Sequence, residues 1–175
     1  MDFTTLSAAR YSVRKFKNTS VRTEDLDLVL EAARNAPTAG NRQPQRILVI
    51  TAEEDLRKID LCTKCRFGAP VVLLVCSDPA VSWTRPFDGE KSDWVDASIV
   101  TTQMMLQAAD IGLGTTWVMY FDPAKLKSEF SLPEKLVPVA LLVMGYPADD
   151  AAPSEKHSQR NPADTMIFSG RFPAL

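Results

Sequence analysis

Apolar positions recur along the chain in two periods. After Thr23-Glu24-Asp25, a capping residue followed by first-turn acids, Leu26, Val29, Leu30 and Ala33 fall at i, i+3, i+4 and i+7. That spacing predicts a helix to about residue 35. Residues 53–64 open with Glu53-Glu54-Asp55 and carry Leu56, Ile59 and Leu61, predicting a second helix. The longest helix is predicted over 93–111, and from Ala97 to Ala109 it reads ASIVTTQMMLQAA, without a charge. A helix apolar or neutral all round is buried on every side, which makes it a central core helix or part of a subunit interface. A short fourth helix over 123–130 has Pro123 at its start.

Between these helices lie short continuous apolar runs: Ile47–Ile50, Val71–Cys76, Thr115–Met119 and Val139–Met144. Continuous runs, unlike alternating ones, predict strands covered on both faces. The pattern predicts a sheet of four or five strands with helices on both sides. Gly112-Leu113-Gly114 follows a helix and reads as a C-cap with a tight turn into the next strand. Residues 36–46, 77–92 and 147–163 are loops rich in Pro, Asp, Arg and Ser. The last is long and polar and leads into an apolar MIF and a final RFPAL, a tail expected to wrap onto its own subunit or a partner.

The 175 residues suit a single domain over 1–175, and a 45% hydrophobic share fills a sizeable core. Twenty basic against twenty-two acidic residues give a net charge of −2, so nothing in the balance argues for nucleic acid or an anionic membrane surface. No apolar run approaches the roughly 20 residues of a membrane span. The opening MDFTTLSAARYS has no apolar secretory core, and the expected compartment is the cytoplasm.

Candidate chemistry is narrowed mostly by elimination. Phosphate-cradling G-x-G-x-x-G and G-x-x-x-x-G-K-[ST] are absent, as are G-x-S-x-G and H-E-x-x-H. Cys62 and Cys65 form a C-x-x-C spacing, readable as a redox pair, half of a zinc site or small packing residues. With one histidine, His157, and one further cysteine, Cys76, a four-ligand zinc set is short of donors, so no metal is expected. The pair also falls late in a helix rather than at the start of one after a strand, so packing is the expected role. An enzyme with this inventory would rely on a cofactor.

Two segments suggest what it binds. Arg10-Tyr11-Ser12-Val13-Arg14 places two guanidiniums and a hydroxyl at alternate positions, on one side of an extended backbone. That suits a phosphate, which Arg forks match bidentately; an exposed basic turn is the other reading. Ala36-Pro37-Thr38-Ala39-Gly40-Asn41-Arg42-Gln43-Pro44 combines stiff prolines, a bendable glycine and two amide side chains. Such a loop reads the edge of a heterocycle, or simply connects a helix to a strand.

RYSVRKF and APTAGNRQPQ, about thirty residues apart, followed by VDASIVTTQMMLQAADIGLGTTW, PVALLVMGYP and HSQRNPADTMIF, resemble the FMN-dependent nitroreductase family across nearly the whole chain. The resemblance implies an α+β sandwich with a mixed sheet, built as an intertwined homodimer with two FMN at the interface. It implies phosphate contacts from Arg10, Tyr11, Ser12 and Arg14, and from Arg160 in the tail. Lys156 and His157 lie near Arg160, either assisting it or simply solvated. It also implies that Pro37, Thr38, Ala39 and Asn41 pack on the flavin ring from the neighbouring subunit, and that backbone at Val118, Met119 and Tyr120 reaches flavin N5 and O4. At that place relatives carry Glu-Gly or Gly-Ala, and the bulk of Met119-Tyr120 narrows the pocket or shapes its specificity. A family asparagine near the flavin pyrimidine falls near Cys62, expected to be a semi-buried neighbour of the cofactor. Trp83, Arg85 and Trp94 lie where relatives build a substrate lid, with surface packing the equal alternative.

The implied activity is NAD(P)H-dependent, ping-pong, two-electron reduction of nitroaromatics, quinones or related electrophiles. The flavin carries the chemistry, and no side chain is assigned as catalytic. Reductive dehalogenation or flavin breakdown on the same fold, and a flavin carrier or sensor without turnover, are the alternatives.

Overall fold

The computed structural model describes residues 2–173. Helices α1 (Phe3–Ala9), α2 (Thr23–Asn35), α3 (Glu53–Cys62), α4 (Asp93–Asp110) and α5 (Pro123–Glu129) alternate with strands β1 (Gln45–Ile50), β2 (Val71–Ser77), β3 (Gly114–Val118) and β4 (Val137–Gly145). The four strands form one sheet in the order β1-β2-β4-β3.

Strand β2 is buried at every position. Its odd-numbered Val71, Leu73 and Val75 face α2 and α4, packing with Val29, Ala33, Val100 and Met104. Its even-numbered Val72, Leu74 and Cys76 face α3 and α5, packing with Leu56, Ile59 and Leu126. Two apolar layers thus clamp one sheet, as the continuous runs require. Each fully buried Val or Leu among them contributes about 1.5–3 kcal/mol.

Three expectations are refined. Each pair of strands runs antiparallel. The mixed character implied by resemblance is confined, among the described residues, to one parallel bridge between Ser12 and Thr115. A sequence reveals that a strand is buried but not which way its neighbour runs. Second, β1 is an edge strand, and Leu48 and Val49 are 40% and 37% exposed instead of covered. Third, α4 buries only one face in a single chain, through Ala97, Val100, Thr101, Met104 and Ala108. Val95 and Ile99 on its opposite side, and Trp94 at the edge of the buried stripe, are exposed.

Helix α1 was not among the predicted elements. Asp2 caps it, its carboxylate accepting from the Thr5 N–H at 3.0 Å, and only Leu6 is buried.

Candidate functional site

The segment after α1 is held against β3. Ser12 bridges Thr115, the Val13 N–H donates to the Thr115 carbonyl at 2.9 Å, and the buried Thr116 hydroxyl donates to the Val13 carbonyl. Gly114 makes this approach possible, because a Cβ there would sit 2.7 Å from Val13 Cγ2. The chain leaving β4 then runs back along the same segment. Lys17 N–H donates to the Tyr146 carbonyl at 2.9 Å, Ala148 N–H to the Lys15 carbonyl at 3.0 Å, and the Tyr11 hydroxyl to the Ala151 carbonyl at 3.3 Å. This backtracking carries the polar tail to Arg10.

Arg10, Arg14, Lys156 and Arg160 accordingly line one cavity of about 230 Å³, with Tyr11, Ser12, Ser154 and His157 completing its wall. No acid lines it. Arg160 is braced from behind, its Nη1 donating to the His157 and Gln159 carbonyls. Arg14 Nη1 donates to the Ser12 carbonyl at 3.2 Å. The Tyr11 and His157 rings meet edge to face, with centroids 6.1 Å apart. Guanidiniums beside hydroxyl donors are chemically suited to an anion such as a phosphate monoester. Lys156, which is exposed, and His157, which is half-buried, both belong to the cavity's lining.

From Ser12 beside Thr115, β3 leads to Val118, about 10 Å along the strand. Val118 is buried among α3, α5 and β4, so only its backbone is available to a ligand. Met119 and Tyr120 leave the sheet exposed, at 61% and 72%. They share a cavity of about 450 Å³ with Cys62, Thr63 and Phe121. The Thr63 hydroxyl donates to the Tyr120 carbonyl, and Asp122 N–H donates to the Cys62 carbonyl at 2.9 Å, fixing this corner.

Cys62 is buried rather than semi-buried, and its thiol donates to the Lys58 carbonyl at 3.2 Å. Burial pushes its pKa up, with Glu129 adding to the effect, and pushes the Cys76 thiol to about 11. Both changes disfavour the thiolate that redox exchange or metal binding would use. Among the described residues no group of three or more His, Cys, Asp or Glu could hold a metal ion.

The Pro37–Asn41 loop is elsewhere. Gly40, Asn41 and Gln43 all have left-handed backbones, with φ of 56°, 53° and 49°. Gln43 N–H donates to Thr38 Oγ1 and its Nε2 to Asn41 Oδ1, both at 3.1 Å. Pro37 lines a cavity of about 490 Å³ along the exposed side of α4, with Trp94, Val95 and Ile99. A single chain therefore does not bring Pro37, Thr38, Ala39 and Asn41 into the cavity of Arg10, Arg14 and Arg160.

Residues 83–92 form a hairpin, with Thr84 bridging Lys91 and Arg85 paired to Asp88 at 2.6 Å. Trp83 at its base lies against Gly40, and Phe87 at its tip is 93% exposed. Sequence reasoning passed over Ser92 and Asp96, which join this hairpin to the loop. Asp96 N–H donates to the Ser92 carbonyl at 2.7 Å, and the carboxylate accepts from Ser92 Oγ at 2.8 Å. No helix among the described residues is long and apolar enough to cross a membrane.

A model of the nitroreductase family matches residues 8–67 and 61–146. A relative from Archaeoglobus fulgidus, whose name pairs NADH dehydrogenase with NAD(P)H nitroreductase, is 31% identical over 163 residues, 87% of this chain and 90% of its own. The FMN reductase [NAD(P)H] of Bacillus subtilis is 29% identical over 159 residues, 81% of this chain and 64% of its own. A crystal structure of a nitroreductase family protein from Clostridium difficile 630 superimposes with a TM-score of 0.92 at 42% identity, covering 98% of this chain and 100% of that one.

Proposed function

Because this chain belongs to the nitroreductase family, we propose that it is an FMN-containing oxidoreductase that takes electrons from NAD(P)H and passes them to nitroaromatics, quinones or similar conjugated electrophiles. The observation that carries this reading is the convergence of Arg10, Arg14 and Arg160 on one cavity without an acid. FMN, when bound, would supply two-electron transfer between donor and acceptor in alternate half-reactions.

The chain's own residues bind, orient and exclude. Arg10, Arg14 and Arg160 hold the phosphate dianion with hydroxyl help from Ser12 and Tyr11. The β3 exit at Val118, Met119 and Tyr120 offers backbone groups to the ring edge. N–H donors at that edge would favour the electron-rich form of the ring. Met119 and Tyr120, large and exposed, restrict what reaches it. The Pro37–Asn41 loop does not line the phosphate cavity of its own chain, and in this reading it serves the ring site of a second copy. The exposed apolar side of α4 and the exposed Met166, Ile167 and Phe168 of the tail supply a hydrophobic interface for that homodimer.

The test is direct. The purified protein is expected to be yellow, to bleach with NADH or NADPH without oxygen, and to regain colour when a nitroaromatic is added. Colour without bleaching favours a carrier or sensor, and a colourless protein that takes up no FMN overturns the reading.

A further inference from the structure

We infer that Asp96 is a positioning residue, a buried carboxylate that holds the 37–43 loop and the base of the 83–92 hairpin in one arrangement and so sets the wall on which the flavin ring packs. The inference rests on the flavin site proposed above and extends it to a residue that lines none of the cavities described.

Asp96 is 1% exposed, and among the described residues no lysine or arginine pairs with it. A buried carboxylate without a cation is costly unless donors surround it. Its two oxygens divide their work. Oδ2 accepts from the Ser92 hydroxyl at 2.8 Å, within its own helix start. Oδ1 accepts from the Ala39 N–H at 2.9 Å, across 57 residues of sequence. The first bond joins two side chains at the start of α4, where the first turn of the helix favours the negative charge. The second leaves the helix altogether and holds the loop.

The loop needs such an anchor. Asn41 and Gln43 are non-glycine residues with left-handed backbones, a costly conformation that persists only where the surroundings fix it. Asp96 grips the loop at Ala39, and Thr38 Oγ1 closes it at Gln43. Trp83 closes it from above: a Cβ on Gly40 would lie 3.5 Å from Trp83 Cδ1. Trp83 is itself tied to Asp96 through Ser92, whose N–H donates to the Trp83 carbonyl at 3.0 Å. One carboxylate therefore couples the loop to the hairpin above it.

The experiment compares Asp96→Leu, which has no acceptor, with Asp96→Asn, which keeps an oxygen for the Ala39 N–H. Ala39→Pro removes the same bond from the donor side and stands in if the leucine variant does not fold. Hydrogen exchange of the flavin-free protein is read at residues 38–43 and, as a control, at 71–77. The expected result for Asp96→Leu is exchange about tenfold or more faster in 38–43 only, with FMN affinity falling about ten- to a hundredfold. Asp96→Asn should stay within about threefold of the parent on both readouts, and Ala39→Pro should follow the leucine variant. Parent-like exchange and FMN affinity in Asp96→Leu, or in Ala39→Pro, overturn the inference. So does loss of protection at 71–77 along with 38–43 in both Asp96 variants, which marks a residue needed only for folding. A parent that takes up no FMN removes the flavin reading, and the exchange comparison still decides whether Asp96 holds the loop.

Discussion

The Thr116 hydroxyl donates to the backbone carbonyl of Val13, 103 residues earlier, at a buried point where the Arg10–Arg14 segment meets the sheet. This bond fixes the register between Arg10–Arg14 and the strand that leads to Met119. Replacing Thr116 with valine keeps the volume and removes the donor, leaving a buried carbonyl unpaired at a cost of about 1–3 kcal/mol. Urea unfolding of the flavin-free protein should show that loss. FMN affinity should fall with it, and an unchanged affinity would mean that the segment is held by its backbone bridge alone.

Arg10→Ala or Arg160→Ala should weaken FMN binding about ten- to a hundredfold, the loss of one charged hydrogen-bonding partner. Riboflavin, which has no phosphate, should bind poorly to the parent and be nearly indifferent to either change. Titration by flavin fluorescence reads both. Equal losses for the two flavins would assign these arginines to the fold instead.

The thiols should be dispensable for electron transfer. A Cys62→Ala/Cys65→Ala variant should keep NAD(P)H-dependent bleaching of bound flavin, with some stability lost from the buried site at Cys62. In the native parent at about pH 8, iodoacetamide should label Cys65 ahead of Cys62 and Cys76, because burial raises the pKa of the latter two. Folded, flavin-loaded double variant without turnover would restore the redox-pair reading.

Shared sites predict complementation. Arg10→Ala/Arg14→Ala chains and chains with a disrupted Asn41 loop should each be nearly inactive as homodimers. Co-expressed and purified through two tags, mixed dimers collect both defects in one site and none in the other. They should regain up to about half of the parent flavin content and activity. Well-folded mixed dimers with no recovery would show that each site is built from one chain.

Acid should expose a separate latch. Asp25 is 4% exposed and accepts from Arg22 at 2.7 and 2.9 Å and from the Tyr146 hydroxyl at 2.7 Å. Arg22 first, then Tyr146, holds its carboxyl below the usual carboxylate range. The stability this brings is complete above the ordinary carboxylate pKa and is lost as pH falls through the lowered one. The gap in thermal midpoint between the parent and Asp25→Asn should therefore shrink as pH drops from about 6 to about 3. A gap that stays constant would assign the difference to packing.

What the sequence disclosed, and what it hid, divides along range. Helices α2 and α4 and the buried run of β2 are written in local periodicity, and they appear within a residue or two of where that periodicity puts them. Helix α1 has one buried residue, Leu6, so no apolar stripe marks it, although Asp2 and Thr5 carry its capping pair. The exposure of Leu48 and Val49 depends on where β1 lies in the sheet, which no local pattern encodes. The Arg10–Arg14 and Arg160 cluster was legible through resemblance, since nothing local says that a tail folds back. Asp96 escaped because the charge-free stretch of α4 begins one residue later, at Ala97. An acid at a helix start has an ordinary explanation until its second oxygen is seen to reach Ala39.

The strand order also constrains how the chain can be made. Residues 137–145, the last of the four described strands to be synthesised, lie between β2 and β3 and hydrogen-bond to both. Until they emerge, Val71–Ser77 has β1 as its one strand neighbour and Gly114–Val118 has only its bridge to the Ser12 segment, so apolar edges stay open while residues 78–136 are made. Nascent chains arrested before residue 137 should be protease-sensitive and bound by chaperones, and those arrested well past 145 should be neither.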